Sequence, residues 1–239
     1  MKSKLFIALL LLAAFTSFKK TAADFRIKKV VSFKHPQDSS TYSYTTEGKI
    51  AEFRTTSPPM WQRFKYEGNK IIEEGDGPTK GHPFKHTFYV NRKGLVDSMK
   101  RVADTMKLCF YFKYDKNGYR TEEYSGCDKK TLEIKRVIEN GNMTKQIFYE
   151  NGQEYETAYF EYFTDKPNQS TMFGEEKLGY GWRGKDSKNL MKKLVIVAST
   201  KDTVLVNISH YHFDNKGRIT VHAIYGKTGS LADSVKYSY

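Results

Sequence analysis

The run Phe112-Lys113-Tyr114-Asp115-Lys116-Asn117-Gly118-Tyr119-Arg120 decides how the whole chain is read. Aromatic and charged residues alternate up to an aspartate, and a glycine closes the turn three residues later. The Asp side chain opens a type I turn, and the glycine takes the left-handed conformation that completes a bulged hairpin. Upstream, Met106, Leu108, Phe110, Phe112 and Tyr114 alternate with Lys107, Cys109, Tyr111 and Lys113. A period of two places one set on each face of a strand.

Related units recur in both directions. Tyr42-Ser43-Tyr44 leads into Thr45 to Gly48, Phe64-Lys65-Tyr66 into Glu67-Gly68-Asn69, and Phe88-Tyr89-Val90 into Asn91 to Gly94. Val137-Ile138 leads into Glu139-Asn140-Gly141, and Tyr211-His212-Phe213 into Asp214 to Gly217. Glycines 48, 68, 94, 118 and 141 are spaced by 20, 26, 24 and 23 residues, an internal repeat. Thr164 to Asn168 reads as a further turn lacking its glycine, with a degenerate copy over 180–195. Two strands and two turns fill about 24 residues, so the fold class is all-β: an antiparallel meander of about 14 to 16 short strands. It forms one curved or wrapped sheet over residues 24–239, and closure into a barrel is left open. The longest irregular stretch is 165–193, a length that in a compact domain points to function or disorder.

Composition narrows the class. Of 239 residues, 38% are hydrophobic and 28% charged, which excludes a polytopic helical membrane protein. An aromatic content of 15% excludes a disordered chain. Lys2 and Lys4 precede the apolar run Leu5 to Phe15, and Ala22 and Ala23 follow. That is the layout of a secretory signal peptide over residues 1–23. Eleven such residues reach about half of a 30 Å hydrocarbon layer, too short for a lasting transmembrane span. The mature chain is therefore expected in the periplasm or outside the cell. No cysteine precedes Cys109, so a lipoprotein is excluded. Without its leader the chain carries 36 basic and 27 acidic residues, a formal charge of +9. The surplus favours weak contact with anionic envelope polymers or nucleic acid. No arginine-rich run or nucleic-acid motif sharpens that into a specific site, so the reading is a plain solvated basic surface.

The repeated Tyr-x-Tyr/Phe-Asp-x-x-Gly-Arg/Lys-Ile/Leu units resemble the tyrosine-aspartate repeats of Rhs-type proteins. The mature chain is also similar to a family of secreted Bacteroidetes proteins classed as a domain of unknown function. Members share the degenerate hairpins, a Ser-Lys-Asn-Leu segment, here Ser187 to Leu190, and a last aromatic strand, here Val235 to Tyr239. The resemblance implies an antiparallel meander in the cell envelope and transfers no catalytic residue.

Four groups of residues are candidates for chemistry. If Asp214 to Gly217 forms a three-residue bulged loop, paired positions sum to 432 and His222 lies opposite His210 and diagonal to His212. Three imidazoles so placed could hold zinc or copper, whereas a two-residue loop moves His222 to the other face. Against the metal site stands a plain polar sheet face. Cys109 and Cys127 flank the Asp115–Gly118 hairpin; a bulged loop puts Cys109 opposite Ser125, with Cys127 diagonal and at the limit of disulfide reach. One further bulge near Gly126 would bring the two together. Tyr180, Trp182 and Arg183 suit stacking on a sugar or aryl ring, and Trp61 shares the same ambiguity. The competing reading has Trp182 folding back to plug an open end of the sheet. Glu122-Glu123 and other adjacent acids read as solvated surface.

Nothing in the sequence requires a cofactor. The leading expectation is an exported, non-enzymatic β-repeat protein that binds or scaffolds envelope glycan or another envelope protein. The alternatives are an outer-membrane β-barrel and a polymer-acting hydrolase with a histidine metal site.

Overall fold

The protein's computed structural model describes residues 26–32, 37–76, 83–103, 106–169 and 180–239. The expected signal peptide lies outside the described residues. The first eight strands are β1 (Lys29–Ser32), β2 (Ser39–Tyr44), β3 (Ile50–Thr56), β4 (Pro59–Glu67), β5 (Lys70–Asp76), β6 (Pro83–Val90), β7 (Val96–Ala103) and β8 (Met106–Tyr114). The second eight are β9 (Arg120–Ser125), β10 (Thr131–Glu139), β11 (Asn142–Glu150), β12 (Gln153–Pro167), β13 (Asn189–Ala198), β14 (Thr203–Phe213), β15 (Ile219–Gly226) and β16 (Leu231–Ser238). Every strand pairs antiparallel with its sequence neighbours. β16 also pairs with β1, Tyr237 opposite Val30, so the meander is a closed 16-stranded barrel rather than an open ribbon. Turn chemistry fixes neighbouring pairs, and only the meeting of first and last strands decides closure. The Thr164–Asn168 turn does not form: β12 continues through it to Pro167. Among the described residues no helix is long and apolar enough to cross a membrane.

The repeat glycines behave as their turns require. Gly48, Gly68, Gly94, Gly118, Gly141 and Gly217 all have φ between +57° and +91°. A regular irregularity follows these turns. At β8–β9 Tyr114 faces Arg120, but the next pair is Lys113 with Glu122, so one residue bulges out. The same one-residue shift occurs beside the turns at β2–β3, β6–β7 and β14–β15. Each bulge displaces the register by one beyond the turn, which turns side chains to the opposite face.

Apolar side chains point inward. Ile50, Phe64, Ile71, Phe88 and Val96 form one buried cluster with Tyr180 and Trp182. Ile27, Leu190, Ile219 and Tyr237 form a second, and Ala158, Phe160, Met191 and Leu194 a third. The alternate positions carry charge on the outer wall. Glu52 binds Arg54 and Arg63, Glu74 binds Lys65 and Lys85, and Glu122 binds Lys113.

Tyrosine hydroxyls tie the wall together at the end bearing the Asp-x-x-Gly turns. Tyr44 donates to the Ile27 carbonyl at 2.6 Å, Tyr66 to Ile50 at 2.8 Å and Tyr114 to Val96 at 2.7 Å. Tyr162 donates to Met143 at 2.8 Å, Tyr211 to Met191 at 2.9 Å and Tyr239 to Ile219 at 2.9 Å. Tyr44 and Tyr114 end their even-numbered strands, Tyr66, Tyr211 and Tyr239 lie within two residues of such an end, and Tyr162 lies inside the long β12. The carbonyl in each case lies at or near the start of the preceding odd-numbered strand. Strands joined by a turn at one end are thereby clasped at the other. Val90 and Ile138 stand at the corresponding positions of β6 and β10.

Burial pushes the Tyr44, Tyr66, Tyr162 and Tyr239 hydroxyls up to about 12. A folded-state value above the unfolded one gives stability that is complete below about pH 10 and lost as pH rises toward 12. Thermal melts across that range should show this decline. Tyr66→Phe, which leaves the Ile50 carbonyl without its donor, should cost about 1 to 3 kcal/mol at neutral pH. An unchanged melting temperature would remove the clasp as a stabilising element.

Candidate ligand site in the barrel lumen

The connection from β12 to β13 is described again from Tyr180, and that part enters the lumen. A short 3-10 turn, Gly181–Arg183, sets Trp182 against Phe88 with ring centroids 4.7 Å apart, and Tyr180 edge-on to Phe64 at 5.4 Å. Trp182 is only 7% exposed, so the aromatic pair is a plug and not an open stacking platform. The Arg183 guanidinium sits 4.9 Å from both the Tyr180 and Trp182 rings. Past Gly184 the chain is pinned to two repeat turns: Lys185 N–H donates to the Gly118 carbonyl at 3.0 Å, and Lys188 N–H to Gly141 at 2.8 Å. Ser187 Oγ accepts from the Met143 amide at 3.1 Å and lies 2.9 Å from the Tyr162 hydroxyl. Asn142 and Asn189 exchange hydrogen bonds of 2.9 and 3.1 Å.

Beyond the plug the lumen keeps a cavity of about 200 Å³. Its wall includes Arg120, Arg136, Gln146, Tyr162, Asn189 and Tyr211, with Met143 and Phe160 as apolar surface. Glu123 holds the two arginines: Arg136 Nη2 donates to its Oε1 at 2.6 Å and Arg120 Nη1 at 3.1 Å. Arg136 Nε donates to Gln146 at 2.9 Å, and Arg120 Nη2 to the Arg183 carbonyl at 2.7 Å. Burial pushes the Glu123 carboxyl up, but the charges of Arg136 and Arg120 outweigh it and hold the group below the usual carboxylate range. The cavity wall also carries Arg183, Lys185 and Asp186, so four basic side chains stand around it against two acidic ones, Glu123 and Asp186. A basic, partly apolar cavity suits a small anion with an apolar body.

The histidines separate. The bulge after β14 makes the pairing sum 433 instead of 432, so His222 faces Tyr211, and His210 faces Ala223. His210 and His212 stand on the wall, while His222 is fully buried in the lumen, Nε2 3.1 Å from Ser209 Oγ and stacked 4.4 Å from Tyr211. Burial lowers its pKa to about 4, so the imidazole is neutral. The expected three-histidine site is therefore corrected to one inward and two outward side chains. Among the described residues no three His, Cys, Asp or Glu converge as metal ligands.

The corresponding bulge after the β8–β9 turn changes the cysteine geometry. Phe110 faces Ser125, which sets Cys109 beside Gly126 and within reach of Cys127, and the two are joined with Cα atoms 4.9 Å apart. Gly126 has φ +101°, and a Cβ there would lie 2.1 Å from the Lys129 carbonyl, so the turn admits only glycine. Trp61 lies on the wall, its Nε1 donating to Asp76 at 2.7 Å, away from the Tyr180–Arg183 plug.

Arg120, Glu123, Arg136 and Gln146 escaped the sequence reading. The strand parity that places Phe110 and Phe112 inward also places Glu123 inward, but only once the bulge after Tyr114 is counted.

A scan against protein-family models finds no match, and a search of curated proteins finds none either. Among solved structures the chain is similar to a porin-like protein from Bacteroides uniformis ATCC 8492, at 14% identity and TM-score 0.66 over 89% of this chain and 97% of that one. It is also similar to a porin-like protein from Bacteroides vulgatus ATCC 8482, at 12% identity and TM-score 0.60 over 90% and 98%. At such identities the likeness establishes the fold.

Glu123→Gln should cost about 3 kcal/mol, because two half-buried guanidiniums lose a shared carboxylate. Glu122→Gln, one residue away on the wall, should cost under about 1 kcal/mol. Because the Glu123 pKa is depressed, its stabilisation holds above about pH 4.3 and fades below it. Urea unfolding of both variants at pH 7 and pH 3.5 checks the pair.

Proposed function

We propose that this chain is an exported, non-enzymatic β-barrel of the cell envelope that holds a small anionic ligand in a plugged lumen. Closure, which the repeat left open, and the porin-like neighbours favour the outer-membrane β-barrel alternative over the binding or scaffolding reading. The chemistry of wall and lumen is what supports a water-facing barrel. The observation that carries the rest is Arg120 and Arg136, held by Glu123, on the wall of a cavity inside the lumen.

A conducting barrel of this strand number has a polar, water-filled interior and an apolar outer band. Here the disposition is reversed over much of the circumference. Arg54, Arg63, Lys65, Lys85 and Lys113 stand on the outer wall of β3–β8, and each would cost about 2 to 4 kcal/mol at a bilayer midplane. These charges support a wall facing water. The plug supports a site that binds instead of a channel that conducts.

The outer-membrane barrel is the second reading. Besides the neighbours, it has an outward apolar sector in its favour: Val195 faces Val206 and Ile208 faces Tyr225 on β13–β15.

The mature chain, expressed for export, should appear in the soluble periplasmic fraction without detergent and give no conductance steps in planar bilayers. Its melting temperature should rise with small aromatic carboxylates, and the rise should vanish in Gln146→Leu. Recovery only in detergent, with stepwise conductance, would establish the membrane-spanning barrel instead.

A further inference from the structure

The outer wall carries a second ordered array, unrelated to the lumen. Register aligns Lys70 with Tyr89, Tyr89 with Ser98, Ser98 with Tyr111, Tyr111 with Tyr124, and Tyr124 with Leu132. These residues form one straight row across six strands, β5 to β10. With neighbouring strands about 4.8 Å apart, the row is about 24 Å long. Three of its members are tyrosines, and each bears lysine ammonium groups over its ring. Lys70 and Lys100 lie 5.9 and 5.7 Å from the Tyr89 centroid, Lys130 lies 3.7 Å from Tyr111, and Lys113 lies 4.9 Å from Tyr124. Ser98, the small residue of the row, leaves a shallow depression bounded by Tyr111, Tyr124, Lys113 and Lys130.

The local charge is unbalanced. Lys113 pairs with Glu122 at 2.8 Å, and Glu122 also accepts from the Tyr124 hydroxyl at 2.5 Å. Asp97 accepts from Ser98 Oγ at 3.2 Å. Among the described residues no carboxylate stands within ion-pair distance of Lys70, Lys100 or Lys130. Glu67 faces Lys70 in register at the β4 edge of the row, so four lysines stand against Glu67, Asp97 and Glu122. The face is aromatic with a small basic excess centred on Lys100 and Lys130.

We propose that this row docks an acidic polysaccharide chain lying across the strands. Tyrosine rings give sugar rings a flat apolar seat with a polar edge, and the lysines meet carboxylates at intervals along the chain. The choice of cation separates this partner from nucleic acid. Arginine's planar fork matches phosphate and stacks on bases, whereas the row uses lysine throughout, a compact charge suited to scattered carboxylates. The proposal uses wall residues only, so it stands or falls apart from the lumen site.

Binding of the full mature chain to oligogalacturonate, measured by titration calorimetry in moderate salt, tests it. Neutral dextran, poly(dT) and polyglutamate serve as competing probes. Wild type should bind the uronate chain and not dextran. The Lys100→Gln/Lys130→Gln double variant and Tyr111→Leu should each weaken binding about tenfold or more, with melting temperature retained. Lys227→Gln, a lysine of the β15–β16 turn, should leave it unchanged. Absence of uronate binding overturns the proposal, as does equal loss in Lys227→Gln. Tighter binding of poly(dT) or polyglutamate would assign the face to another class of polymer and overturn it as well.

Discussion

A tyrosine hydroxyl donating to the carbonyl of the preceding strand is the contact on which this barrel depends. A long antiparallel hairpin is held at its turn and free to splay at its open end. Six tyrosines close six such ends, from Tyr44 on Ile27 to Tyr239 on Ile219. Each bond satisfies a carbonyl near the barrel mouth and places an aromatic ring in the lumen. The same residue therefore serves both hydrogen bonding and core burial. That dual role accounts for the tyrosine at or near the end of several even-numbered strands, as at Tyr114 ahead of the Asp115 to Gly118 turn.

With the mouths clasped, alternation sorts the remaining side chains. Ile50, Phe64, Phe88 and Val96 turn inward, and their neighbours Glu52, Arg63, Lys65 and Lys85 form ladders on the wall. Several polar groups that enter the lumen come with partners. Glu73 meets His86 at 2.8 Å, Glu123 meets Arg120 and Arg136, and His222 meets Ser209. Of these, the Glu123 group borders a cavity. The plug reaches that cavity through backbone bonds to Gly118 and Gly141, so two turns of the repeat also anchor the segment that occludes the lumen.

The strand order and the turns could be read from residues because their chemistry is local: an Asp, a Gly and a period of two. Closure could not, because it is decided by β1 meeting β16 across the whole length of the chain. Site geometry failed for a smaller reason. A single bulged residue after a turn moves every position beyond it to the other face. It turned His222 away from His210, carried Cys109 to Cys127 and hid Glu123 among apparent surface acids. The residues flanking the turns do not announce that bulge, since it answers to the twist of a closed wall and not to local preference. Trp182 was ambiguous for a related reason, because its fate depends on Phe88, nearly a hundred residues away.

The central claim is that the barrel keeps its apolar face inside and turns its charged face to water. Single cysteines at positions 62, 63, 64 and 65 of β4, probed with a charged maleimide on intact protein free of detergent, test it most directly. Labelling at 63 and 65 with protection at 62 and 64 is the predicted pattern. Labelling at 62 and 64 instead, or at 63 and 65 only after detergent extraction from membranes, would contradict it.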